Sequence, residues 1–89
     1  MRFAVLINYT DPAGRERALP AHREYLAKGR EQGIVIESGP FADGKGGMYL
    51  LEVADSSAAR AFVEADPYRT DGKLELIVRE WNSVQGPKR

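Results

Sequence analysis

Two residues of this chain have types suited to moving a proton: its single histidine, His22, and Asp66, which stands before Pro67. An imidazole exchanges protons near neutral pH, and a carboxylate bonded to one ring nitrogen decides which nitrogen keeps the proton. His22 follows Leu19 and precedes Leu26 and Gly29 at helical spacing, which turns it inward rather than toward bulk water. A histidine there can equally be a core residue satisfied by a backbone carbonyl. Asp66-Pro67 ends a helical pattern, because the residue before a proline is pushed out of the α region. That corner could aim a carboxylate into a cleft. Aspartate before proline is also a common turn former that bonds only local amides. The spacing does not decide between these readings. The expectation is that the fold brings His22 and Asp66 together as a catalytic pair.

Weaker signals surround that pair. Ser38-Gly39-Pro40-Phe41 follows a strand, where glycine permits close backbone approach and proline stiffens the bend. These four residues are expected to line a substrate pocket, with Phe41 as an apolar wall, or to be only a strand-ending bend. Tyr68 is expected to add a phenol at the pocket edge, or to pack. Other chemistries are poorly served. There is no cysteine, hence no thiolate nucleophile and no disulfide framework. One histidine rules out an ordinary multi-histidine metal site. Glu37-Ser38-Gly39 lacks the earlier glycine of a nucleophile elbow. Gly44-Lys45-Gly46-Gly47 opens no phosphate-binding helix. No metal or cofactor is expected.

These residues are held by a simple alternation of elements. Phe3–Tyr9 reads as a strand uncharged on both faces, hence central. Thr10–Gly14 reads as a turn. Arg15–Gln32 reads as a helix whose regular part begins near Leu19, because Pro20 suits a first turn; Gly33 ends it. Ile34–Ser38 is a second strand, Ala42–Gly47 a hairpin loop and Met48–Val53 a third strand. Asp55-Ser56-Ser57 is a capping cluster, ahead of a short helix over Ala58–Ala65 with Phe62 and Val63 in its buried stripe. Tyr68–Gly72 reads as a loop and Lys73–Trp81 as a fourth strand. The order β-α-β-β-α-β predicts an α+β, ferredoxin-like domain over residues 1–83, an antiparallel four-stranded sheet with two helices on one face. Residues 84–89 are expected to be a flexible tail.

Strands one, three and four are apolar on both faces, yet two helices cover only one. An apolar sheet face of that size marks an interface, so a homodimer through the open face is expected. The 89 residues hold 13 basic and 13 acidic side chains, a balance that offers nothing to attract nucleic acid or an anionic membrane. The aromatics are not interleaved with a basic patch. The opening apolar run is too short for a membrane span and lacks a cleavage pattern, so a cytoplasmic location is the expectation.

Assembled in order, the opening strand, Ala21-His22-Arg23-Glu24-Tyr25-Leu26, Gly33, Ser38-Gly39-Pro40-Phe41, Gly46-Gly47, Ala61 through Asp66-Pro67-Tyr68, Gly72 and the strand ending at Trp81 resemble the YciI-like (YCII) family. The resemblance implies a dimeric α/β-barrel of ferredoxin-like subunits and an active site around a His–Asp pair, which maps onto His22 and Asp66. It implies small-molecule chemistry, with lyase or dehalogenase-type reactions on hydroxylated rings attached to part of the family. The leading expectation is cofactor-free elimination or isomerisation by His22 and Asp66. A metabolite-binding or regulatory module of the same fold predicts saturable binding without product. A haem-handling barrel with His22 as axial ligand predicts a Soret band on haem addition.

Overall fold

A computed structural model describes residues 1–87. Four strands, β1 (Arg2–Asn8), β2 (Val35–Pro40), β3 (Gly46–Glu52) and β4 (Glu75–Glu80), form one antiparallel sheet in the order β2-β3-β1-β4. Helix α1 (Pro12–Glu31) joins β1 to β2, and α2 (Ser56–Glu64) with the single-turn α3 (Pro67–Thr70) joins β3 to β4. This is the ferredoxin-like arrangement, with β1, uncharged from Phe3 to Asn8, in the interior of the sheet. Register puts Phe3, Val5 and Ile7 on one face with Tyr49, Leu51 and Leu76. All six are buried, and with Ala18, Leu26, Ala59, Val63 and Tyr68 they make the core.

Helix α1 departs from the sequence expectation. It begins at Pro12 rather than near Leu19, absorbing residues read as a turn, and Pro20 lies inside it. Proline removes one backbone donor, but Pro20 is on the exposed side. Burial of the opposite side outweighs that loss. Gly14, Ala18, His22, Leu26 and Gly29 form one continuous buried stripe. A side chain on Gly14 would strike the backbone oxygen of Gly72, and one on Gly29 would come within 2.7 Å of Val35. Glycine at these two points lets α1 lie close to its neighbours.

The stretch read as a loop after Pro67 is instead α3. Asp66 caps it, its side chain accepting the Tyr68 N–H, and Pro67 occupies the first turn, where a missing donor costs nothing. Strand β2 runs on through Gly39 and Pro40, which pair with Met48 and Gly47, so the predicted bend is part of the strand. Proline is tolerated there because β2 is an edge strand. The hairpin loop shrinks accordingly, with Gly44 at φ 73° supplying the left-handed residue. Strand β4 stops at Glu80, although the Trp81 N–H still bonds to the Arg2 carbonyl. Residues 81–87 belong to no element, and the end of the tail expected over 84–89 lies outside the described residues.

The face away from the helices is bare. Register aligns Ala4, Leu6, Met48, Leu50 and Ile77 across it, with Arg79 opposite Ala4; Ile77 and Arg79 are exposed. Polar pairs flank this apolar centre. Asn8 donates to Glu75 at one end, and Arg2 pairs with Glu52 at the other.

Candidate active site

His22 and Asp66, 44 residues apart in sequence, meet beneath the sheet's helix-covered face. His22 Nδ1 lies 2.7 Å from Asp66 Oδ1. Two elements bring them there: the inward stripe of α1 carries His22, and the corner between α2 and α3 carries Asp66. Asp66 is 0% exposed and His22 6%. A carboxylate sealed this completely must be satisfied by donors. Asp66 has three: Oδ1 faces His22 Nδ1 and accepts the Tyr68 backbone N–H at 2.9 Å, and Oδ2 accepts the Tyr49 hydroxyl at 2.9 Å.

This arrangement determines the histidine tautomer. Tyr49 and the Tyr68 amide are both donors, so Asp66 acts as an acceptor toward each. An ionised carboxylate has only lone pairs to offer. The neutral His22 ring therefore carries its proton on Nδ1 and donates it to Asp66. Burial pushes the Tyr49 phenol well above its usual range, and the adjacent Asp66 charge adds to the effect. The phenol stays a donor. Nε2 has no protein partner and is not sealed among the described residues. It keeps a lone pair for whatever enters the cleft.

The Tyr68 ring lies flat against the imidazole, with centroids 3.6 Å apart and planes 5° from parallel. It fixes the ring's rotation as Asp66 fixes its tautomer. Above the pair opens a cleft of about 530 Å³, bounded by α1, β2, β3 and α3 and lined by His22, Tyr49 and Tyr68. That is the range of pockets that hold small organic molecules. Ser38, Gly39 and Pro40 line it from β2. The Ser38 hydroxyl accepts from Arg30 at 3.0 Å. Phe41 does not line this cleft. It is 43% exposed and borders a shallower depression on the outer side of β2. The cause is the extra length of β2, which carries Phe41 past the cleft instead of turning it inward.

Sequence reasoning overlooked two residues. Tyr49 sits in a strand that reads as uniformly apolar, and its only early signal was a hydroxyl at a fully buried position, which needs a partner. Arg15 opened the predicted helix but lay ahead of its expected regular part, and drew no functional reading. It lines the cleft two helical turns before His22, with its guanidinium 4.6 Å from the centre of the Tyr9 ring. The Tyr68 phenol beside it, more than any other group, holds the guanidinium protonated, against the opposing effect of burial. Among the described residues no group of three or more His, Cys, Asp or Glu could hold a metal ion. Nor is any helix long and apolar enough to cross a membrane.

This helix-and-sheet frame with a buried His–Asp–Tyr cluster falls within a known class. The chain belongs to the YCII family: the YCII-related domain matches residues 1–82. It is 33% identical over 60 residues to the uncharacterized protein YjpA of Bacillus subtilis, covering 67% of this chain and 71% of that protein. In fold it resembles 5-chloro-2-hydroxyhydroquinone dehydrochlorinase from Burkholderia phenoliruptrix, solved with 2,5-dihydroxybenzoquinone. The TM-score is 0.78 at 22% identity, over 94% of this chain and 96% of the other. Muconolactone isomerase aligns over the full length of both chains with TM-score 0.74 and 15% identity. An antibiotic biosynthesis monooxygenase aligns with TM-score 0.60 and 16% identity, over 96% and 100%.

Proposed function

We propose that the protein is a small-molecule enzyme of acid–base type, in which His22 moves a proton and Asp66 holds it in the productive tautomer. The observation that carries this reading is the sealed Asp66 carboxylate with three donors, which leaves His22 Nε2 as the free nitrogen of the pair. Nε2 abstracts a proton from a carbon or hydroxyl of the bound substrate, and the resulting imidazolium is stabilised by Asp66. Returning that proton to a different atom completes an isomerisation; loss of a leaving group from the adjacent carbon completes an elimination. Neither needs a cofactor, because the substrate supplies and receives the electron pair. The neighbouring folds support the same two reaction classes, since one is named as a dehydrochlorinase and another as a lactone isomerase. Ser38, Gly39, Pro40 and Tyr68 bound the substrate, and Phe41 has no part in holding it.

The assembly is a homodimer through the bare sheet face. An apolar centre flanked by polar pairs is the anatomy of a protein interface.

The test is a screen of halogenated hydroquinones and unsaturated lactones, followed by ultraviolet absorbance, with the parent and His22→Ala. Turnover in the parent should fall by about 10²–10⁴-fold in the variant. Saturable binding with no product from any bound compound would instead mark a metabolite-binding module.

A further inference from the structure

The cleft is charged although the chain as a whole is neutral. Arg15, Arg23 and Arg30 line it, opposed by Glu37 at the rim and by Asp66 beneath His22. Arg30 is bonded to Ser38. Arg15 is different: it is half-buried, forms no ion pair with any described carboxylate, and its Nε is sealed from solvent without a hydrogen-bond partner. It is the one buried side-chain nitrogen or oxygen so left among the described residues. Partly buried charges are normally paired, because removing them from water is costly. Here the surroundings are aromatic, with Tyr9 beneath the guanidinium and Tyr68 between it and His22. The guanidinium thus lies in the cleft wall beside the Tyr68 and Tyr9 hydroxyls, its Nε sealed and with no counter-charge among the described carboxylates.

We infer that Arg15 is the anchor for a carboxylate on a small cyclic substrate, which it orients so that the rest of the molecule lies over His22. Arg15 and His22 are seven residues apart on α1, two turns along the same side, a rise of about 10 Å. The tyrosine rings between them form an apolar floor suited to a ring. Arg15 is a positioning and binding residue, and His22 retains the chemistry. This rests on the acid–base reading for its orientation, but the anion site exists without it.

The test is equilibrium binding, followed through the ring protons of His22 by NMR. The probes are benzoate, 2-furoate and cyclohexanecarboxylate, each against its neutral amide, with sodium sulfate as an inorganic anion. In the parent at least one carboxylate should bind about ten- to a hundredfold more tightly than its amide. That preference should vanish in Arg15→Gln and survive in part in Arg15→Lys, which also shows that the fold tolerates change at this position. Equal binding of acids and amides, no saturable binding by any acid, or a preference that persists in Arg15→Gln would overturn the inference. Sulfate binding as tightly as every ring acid would also overturn it, since the apolar floor would then add nothing. His22→Gln separates the two proposals: the carboxylate preference should remain there, read from backbone amide shifts, whatever becomes of turnover.

Discussion

The two faces of the sheet hold opposite kinds of surface. Under the helices, the polar groups of His22, Tyr49 and Asp66 are nearly removed from water, and the Asp66 carboxylate is fully partnered. On the bare side, Leu6, Met48 and Ile77 are partly open to solvent, with polar pairs at the two ends and Arg79 opposite Ala4. A polar cluster costs free energy to bury and is kept where its groups have work to do; an apolar centre left open calls for a partner. The first face therefore speaks of chemistry and the second of association, and substitutions should separate the two.

The largest effect belongs to Asp66→Ala. It leaves three donors in the core without an acceptor and should cost about 3–5 kcal/mol of stability, read by urea denaturation. A cost below about 1 kcal/mol would mean the cluster is hydrated and not buried. Next is Ile77→Glu on the bare face. It places a carboxylate in each half of the proposed symmetric interface and should weaken that association by about 100-fold in sedimentation equilibrium while leaving the His22 site intact. A parent that is already monomeric would remove the association reading.

Tyr49→Phe is milder. One Asp66 oxygen loses its donor, costing about 1–3 kcal/mol, and the alkaline limb of stability also changes. In the native protein burial keeps the Tyr49 proton at pH values where the unfolded chain's phenol, ordinarily near 10, has released it. The unfolded state then binds fewer protons, so stability is fully present below pH of about 10 and declines as pH rises beyond it. Tyr25 and Tyr68 are pushed in the same direction, so the decline should be shallower in Tyr49→Phe but not absent. The smallest effect is Phe41→Ala. Phe41 lies outside the cleft, so stability should change by no more than about 0.5 kcal/mol, with no change in the His22 ring signals.

What the sequence made legible were positions governed by local rules. His22 sat on an apolar stripe whose period is that of a helix, and Asp66 preceded a proline that had to break one. Both rules held in the fold. Positions decided by neighbours distant in the chain were not legible. Pro20 pointed to a late helix start, but packing of Gly14 and Ala18 against the α3 segment begins α1 at Pro12, which places Arg15 in the cleft wall. Pro40 looked like a bend, but an edge strand tolerates it, and Phe41 is carried away from the site. Tyr49 was hidden because a hydroxyl inside an apolar strand gains meaning only from the acceptor across from it.

The central claim is that Asp66 holds the His22 proton on Nδ1 and leaves Nε2 as the base. It is tested by the ¹⁵N shifts and long-range ¹H–¹⁵N couplings of the single histidine in the neutral ring. A protonated Nδ1 with a pyridine-like Nε2 is the expected result. A ring protonated mainly on Nε2 would contradict it, because Asp66 would then have to be the donor and no base would face the cleft.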